Sequence, residues 1–320
     1  MLAVTYTAIT GATDGGNLIA AAAASRTIPV TRAIVIITIG VFAGPLLFGT
    51  AVASTIGTGI ADYSRLGPVL LGAGMIGAIG AQAVAYIARV PTSGSVALVG
   101  AMIGSLWAGP GLQVVHWGGV EKVAIALVAS PVVGFAAGAF VYALLVALLA
   151  PLSRKAGDRV MRLQYAGVAL QALGYGANDA EKTVGLLAAA AVVAGGASSF
   201  VVPFWVIALT ALSFAAGMAL GGLRIAKTMG NRLFSIRPQH ALAFQFAAAA
   251  TVLGAAAVGG PVSTTQTTAS AIVGVGASAN LRALHVRTAA KIVVSWFFTA
   301  PIAIGAGAAA TALANLLFRG

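Results

Sequence analysis

Cysteine is absent from the 320-residue chain, so disulfides, thiolate metal sites and thiol redox chemistry are excluded. Charge is also scarce. Charged residues make up 8% of the chain, against about 25% in a soluble domain. Acidic residues are the rarest of these, with 6 Asp+Glu against 18 Lys+Arg and a net charge of +12. No Walker motif is present, which excludes ATP hydrolysis by this chain. No nucleophile stands at a suitable spacing from a base, and no metal-ligand cluster is visible, so neither an enzyme, a metal site nor a cofactor is expected. The N-terminus lacks a basic region and Asp14 interrupts its apolar run, so it reads as mature protein and not as a cleaved signal.

What the chain does have is apolar length, with 60% hydrophobic residues. Water does not solvate a surface with so few charges, whereas lipid does. A hydrocarbon core roughly 30 Å thick takes about 20 apolar residues per helix. Ten such stretches stand near 2–25, 31–53, 68–88, 92–108, 120–149, 164–194, 202–222, 240–258, 262–279 and 290–317. The basic residues lie in the short connections between them, without interleaved aromatics. That pattern fits the positive-inside rule and argues against nucleic acid. The expected partner is a lipid bilayer, and the expected location is the cell (plasma) membrane, multi-pass.

The stretches form an internal repeat. Gly11-Ala12-Thr13-Asp14-Gly15-Gly16-Asn17 corresponds to Gly176-Ala177-Asn178-Asp179-Ala180-Glu181-Lys182, at an offset of 165. Pro91-Thr92-Ser93-Gly94-Ser95 corresponds to Pro261-Val262-Ser263-Thr264-Thr265, at 170. Lys122 and Pro131 correspond to Lys291 and Pro301, at 169 or 170. The organisation expected is a first membrane repeat over 1–150, a cytoplasmic linker over 151–163 and a second repeat over 164–320. Five segments per half is an odd number, so the second half enters the membrane inverted. With the N-terminus outside, the cytoplasmic loops 26–32, 89–91, 150–163, 223–239 and 280–291 hold most of the Lys and Arg, including Arg26, Arg89, Arg224, Lys227 and Arg232. The fold class expected is an all-α polytopic membrane protein with two inverted-topology repeats. Segments one and four of each half are expected to be broken or re-entrant at Gly, Pro, Ser or Thr.

Inverted repeats with helices interrupted at matching positions belong to secondary transporters, whose substrate sites lie near the midplane at the repeat interface. A helix that starts there offers unpaired N–H groups and a dipole that attract anions. Pro91 and Pro261 suit the first turn of such starts. Thr92, Ser93, Ser95, Ser263, Thr264 and Thr265 supply hydroxyls beside them, although ordinary N-capping accounts for the same residue types. A small tetrahedral oxyanion needs donors from several directions, and two starts entering from opposite faces supply them. Asp14, Asp179 and Glu181 are half of all the acids. Carboxylates inside a membrane segment are costly and are candidates to bind a cation, carry a proton or accept from a protonated anion. Asn17 and Lys182 are equivalent in the two halves. An amide oxygen ligates Na⁺ and an ammonium does not, which points to proton coupling, with Na⁺ as the alternative. Lys182 is open to several roles: standing where a cation would sit, pairing with Asp14, Asp179 or Glu181, contacting substrate or snorkelling. Asn178 joins the substrate-binding candidates, and Gln266 bonds either substrate or a neighbouring helix. His116, His240 and His285 read as solvated interfacial residues.

These motifs resemble the bacterial inorganic phosphate transporter family. Gly-Ala-Asn-Asp-Ala-Glu-Lys-Thr (176–183) looks like that family's second-half signature. Gly-Gly-Pro-Val-Ser-Thr-Thr-Gln (259–266) and Gly-Val-Gly-Ala-Ser (274–278) are similar to its second proline-serine motif. Asp14-Gly15-Gly16-Asn17 and Pro91-Thr92-Ser93 match the first-half versions more loosely. The resemblance implies symport of inorganic phosphate with H⁺ or Na⁺, a homodimer, and substrate or cation contacts at Asp14, Asn17, Asp179, Ser93, Ser263 and Thr264. It departs from the family where Val96 and Gln266 stand in place of His, and where Lys182 replaces an asparagine of Na⁺-coupled members. Relatives that carry sulfate keep a sulfate permease open as the alternative, and twofold-related broken helices also occur in anion channels. Phosphate keeps a proton at neutral pH and donates it to a carboxylate, whereas sulfate has none to donate. The acids therefore favour phosphate.

Overall fold

The computed structural model describes residues 1–25, 28–88, 92–151, 154–196, 200–222 and 235–318. Arg26, Arg89, Pro91, Arg224, Lys227 and Arg232 lie outside the described residues. The first half consists of α1 (Leu2–Ser25), α2 (Val30–Phe48), the short α3 (Ala51–Gly57) and α4 (Tyr63–Leu66), then α5 (Pro68–Ala88), α6 (Gly94–Ala108) and α7 (Trp117–Leu149). The second consists of α8 (Arg154–Tyr175), a π-helical turn Gly176–Ala180, α9 (Glu181–Val193), α10 (Phe204–Gly217) with a π-helical turn Met218–Gly222, α11 (Pro238–Ala257), α12 (Thr264–Asn280) and α13 (Val286–Phe318). Six of these helical stretches are long and apolar enough to cross a bilayer. The expected polytopic helical fold is therefore the one observed.

The packing repeats itself between the halves. α1 lies on α10 as α8 lies on α2, and α6 lies on α13 as α12 lies on α7. This is the pattern of an inverted repeat whose two copies exchange elements. Backbone contact is close at repeat-related glycines. A Cβ on Gly104 in α6 would stand 2.0 Å from the Ile304 carbonyl oxygen, and one on Gly307 in α13 would stand 2.0 Å from that of Ala101. Their counterparts, Gly274 in α12 and Gly138 in α7, would meet the carbonyl oxygens of Phe135 at 2.1 Å and Ala271 at 2.3 Å. Small residues let helix backbones approach, which replaces the hydrophobic drive that lipid does not supply. The outer faces of α7 and α13 carry exposed Val128, Val132, Phe140, Phe297 and Leu316, as a lipid-facing surface requires.

α6, with 15 residues, is about 22 Å long. That is less than a hydrocarbon layer of roughly 30 Å, so α6 is too short to cross it. α12, with 17 residues, repeats this. Four expectations need correction. α1 runs unbroken through Asp14, because Gly11 and Gly15 seat against Phe214 and Met218 and so serve close packing, not a break. At Asp179 the helical path widens into a π turn but continues. Pro261 stands two residues ahead of the N-cap Ser263, not in the first turn of α12. The 151–163 segment, expected as a linker, is helical from Arg154 onward.

The glycine contacts are testable. Gly104→Val drives a side chain into the α13 backbone and is expected to lower stability by about 1–3 kcal/mol. Gly80→Ala, on an exposed face of α5 with nothing nearby, is expected to raise it by about 0.5–1 kcal/mol. Thermal unfolding of the detergent-solubilised protein reads both.

Candidate functional site

The starts of α6 and α12 meet the middle of α1 and the π turn ahead of α9. α12 begins with two threonines, each holding a different acid. Thr264 Oγ1 donates to Asp179 Oδ2, and Thr265 Oγ1 donates to Asp14 Oδ1 at 2.6 Å. Adjacent residues thus draw the two carboxylates into one cluster. Asn17 Nδ2 donates to Thr265 Oγ1 at 2.8 Å. That hydroxyl spends its proton on Asp14, so it accepts from Asn17, and this fixes the orientation of the amide. Asn17 Oδ1 is then buried without a hydrogen-bond partner.

Lys182 lies on the other side of the cluster. Its Nζ donates to Asp179 Oδ1 at 2.5 Å, to Ser95 Oγ at 2.5 Å and to the Val262 carbonyl at 2.7 Å. These three bonds use all of the ammonium's protons. Lys182 therefore neither snorkels nor keeps a donor spare for substrate. Ser95 Oγ also donates to the Val262 carbonyl, at 2.9 Å. Asp14, Asn17, Ser95, Asp179, Lys182, Thr264 and Thr265 are each at most 5% exposed, so the cluster is closed to water on both sides. Among the described residues Lys182 is the one buried lysine or arginine.

In each half the residue three positions after the acid donates to a hydroxyl at the start of the other half's short helix, Lys182 to Ser95 Oγ and Asn17 to Thr265 Oγ1. Asp179, Lys182 and Ser95 form one such set, and Asp14, Asn17 and Thr265 form the other. The sets differ at two points. Lys182 stands opposite Asn17, and Thr264 stands opposite Gly94, where a Cβ would be 3.1 Å from Asp14 Oδ2. Asp179 thus takes a hydroxyl from its own half and an ammonium besides, whereas Asp14 takes its hydroxyl from the other half.

The other expected site residues are placed differently. Ser93 and Ser263 are N-caps, accepting from the backbone N–H of Val96 at 3.1 Å and Gln266 at 3.2 Å. Their hydroxyl oxygens hold the helix starts in shape, and each keeps its proton to donate. Asn178 clamps the segment before α12, donating to the Gly260 carbonyl at 3.0 Å and accepting from Val262 N at 3.1 Å. Gln266 faces away, into an apolar cavity lined by Val96, Leu127, Pro131, Trp296 and Phe297. Thr92 is half-buried at the edge of the α6 start. Glu181 turns to α3, where its Oε2 accepts from Val52 N at 3.0 Å and Ala53 N at 3.1 Å. His116 and His285 are exposed as expected. His240 is buried, its Nδ1 accepting from Arg237 N at 3.1 Å, so the interfacial reading fails there.

Sequence reasoning missed a second layer. Tyr6 donates to the Gly94 carbonyl at 3.3 Å, Thr10 to Gln82 Oε1 at 3.3 Å, and Thr7 to Thr183 at 3.0 Å. Gln171 donates to Thr268 at 3.3 Å beside Tyr175. A signal was available for α1, where Thr7, Thr10, Asp14 and Asn17 recur at spacings of three or four. They form a polar stripe on a helix that is otherwise apolar.

Comparison with known proteins bears on what such a cluster serves. The model of the phosphate transporter family matches residues 10–161 and again 151–307. The chain belongs to the phosphate transporter family. A relative from Rhizobium meliloti, described as a "probable low-affinity inorganic phosphate transporter", is 34% identical over 304 residues, covering 94% of this chain and 91% of its own. One of the same description from Bacillus subtilis is 31% identical over 320 residues, covering 99% and 96%. A solved structure titled "The sodium-dependent phosphate transporter" superposes with a TM-score of 0.87 at 22% identity, over 99% of this chain and 98% of that one. That likeness establishes the fold. The protein is thus a multi-pass membrane transporter and not an enzyme.

The Glu181 contacts separate two roles. Glu181→Gln keeps an oxygen for the Val52 and Ala53 N–H groups, and is expected to fold and to retain proton-driven uptake. Glu181→Ala leaves both donors unpaired, at an expected cost of about 1–3 kcal/mol. Loss of proton-driven uptake in a folded Glu181→Gln protein would return Glu181 to the coupling acids.

Proposed function

We propose that the protein is a secondary active symporter of inorganic phosphate, driven by protons. The observation that carries this reading is a charge imbalance. Asp14 and Asp179 share one enclosure with a single ammonium, whose protons are all spent. Buried charge is tolerated only when paired, so loading a further anion demands positive charge from outside. A proton on an acid supplies it.

The threonines link the two events. In the closed cluster Thr264 and Thr265 donate to carboxylates. When a carboxylate takes a proton, its threonine is released to donate to a phosphate oxygen instead. The N–H groups in the first turns of α6 and α12 have no partner within their helices and point the same way. Proton and phosphate therefore favour each other's binding, and that reciprocity is the thermodynamic content of symport. Phosphate suits the acids better than sulfate, since its own proton is donated to a carboxylate. The description of the relatives as inorganic phosphate transporters supports the same substrate. A shift of the helices around α6 and α12 would then change which side the enclosure opens to.

The test is uptake into proteoliposomes of labelled phosphate and labelled sulfate, under imposed H⁺ or Na⁺ gradients. Phosphate is expected to accumulate on an inward proton gradient, and Asp179→Asn to abolish that accumulation. Accumulation of sulfate in place of phosphate, or proton-driven uptake that survives Asp179→Asn, would refute the reading. Flux that never exceeds equilibration would identify a channel.

A further inference from the structure

We infer that Lys182 is a cation built into the chain, occupying a place that would otherwise take a monovalent metal ion, and that it thereby excludes Na⁺ from the transport cycle. The inference deepens the reading above by naming the residue that sets ion preference, and its uptake measurement rests on that reading.

The surroundings of the ammonium are those of a hard cation. Three oxygens of three kinds converge on Nζ: a carboxylate from Asp179 at 2.5 Å, a hydroxyl from Ser95 at 2.5 Å and a backbone carbonyl from Val262 at 2.7 Å. Val262 lies in the extended segment before α12, so its carbonyl faces the cluster and not a helix ladder. Carboxylate, carbonyl and hydroxyl oxygens are the ligands hard cations take, and unwound carbonyls at broken helices hold coupling ions in transporters.

The chain contains its own control. The repeat-related set of Asp14, Asn17 and Thr265 has the same i,i+3 spacing and the same hydroxyl from the opposite half. There the place of the ammonium falls to Asn17, whose Oδ1 is buried with no hydrogen-bond partner. One half thus presents an unsatisfied neutral oxygen where the other presents a tethered positive charge. Lys182 and Asp14 share one enclosure, since the acid paired with Lys182 and Asp14 accept from adjacent threonines. A fixed ammonium there repels a mobile cation from both sets. It also holds Ser95, Val262 and Asp179 together without desolvating an ion in every cycle.

Replacing Lys182 with the residue of the other half removes the tether and adds an oxygen. In Lys182→Asn, the purified protein's unfolding midpoint is expected to rise in NaCl relative to choline chloride at equal ionic strength. Its phosphate uptake is expected to become Na⁺-stimulated by at least about fivefold, within the range of ordinary site-to-site coupling. The wild-type protein should show neither response. Exchanging the residues, in Asn17→Lys with Lys182→Asn, restores an ammonium and should abolish the Na⁺ response. A folded Lys182→Asn protein indifferent to Na⁺ would overturn the inference. So would a wild-type protein that responds to Na⁺, or a Lys182→Asn protein that fails to fold in sodium as well as in choline, because a vacated cation place would be filled by the ion. If wild-type phosphate uptake fails altogether, the proposed substrate falls, while the Na⁺-dependent midpoint of Lys182→Asn still decides the inference.

Discussion

Ionised groups at bilayer depth must find their partners within the protein, and this requirement explains the arrangement of the molecule's interior. Asp14, Asp179 and Lys182 lie where no water reaches them. Each is held by a hydroxyl, an amide, a carbonyl or another charge. Several of those partners exist because α6 and α12 begin beside the acids, in the protein's interior. A helix that ran through would have paired its N–H groups with its own carbonyls and left nothing for an anion. Glu181 meets the same requirement separately, at the start of α3. Burial, helix termini and charge are therefore one design constraint here.

Much of this was legible in the chain. The repeat and the short fourth segments follow from matched motifs. Acids and hydroxyls recurring in the same order in both halves marked Asp14, Asp179 and the short-helix starts as candidates, but not that both acids would bond to adjacent threonines of α12. The unread parts were those decided by a neighbour distant in sequence. Glycines around Asp14 look like helix breakers until α10 is seen against them. Nothing near Glu181 reveals that α3 will present two bare N–H groups to it. Gln266 follows two residues that face the cluster, yet helical rotation turns it outward. His240 is buried because its ring is needed at the α11 start. Periodicity indicates which face of a helix is polar, but not what will stand opposite that face.

The two halves share a backbone plan and differ in chemistry. Asp179 is held by an ammonium and by the Thr264 hydroxyl of its own half, whereas Asp14 is held by the Thr265 hydroxyl of the other half and faces the bare backbone of Gly94. A perfectly symmetric cluster would bind its ions equally on both sides and give the substrate no preferred orientation. Here each acid accepts from one threonine of α12, and among the described residues only Asp179 is also paired with an ammonium.

The exchange of helices between halves bears on how the protein is made. α6 finds its closest neighbour in α13, and α12 finds its own in α7. During synthesis α6 emerges early and has only part of its packing surface available until the final helix leaves the ribosome. Its short, glycine-bearing, polar-tipped form is poorly suited to lie alone against lipid. The first half must therefore be sheltered by the insertion machinery or wait in a loosened state. A gene that encoded either half by itself would yield a polypeptide that needs its sibling before it can close.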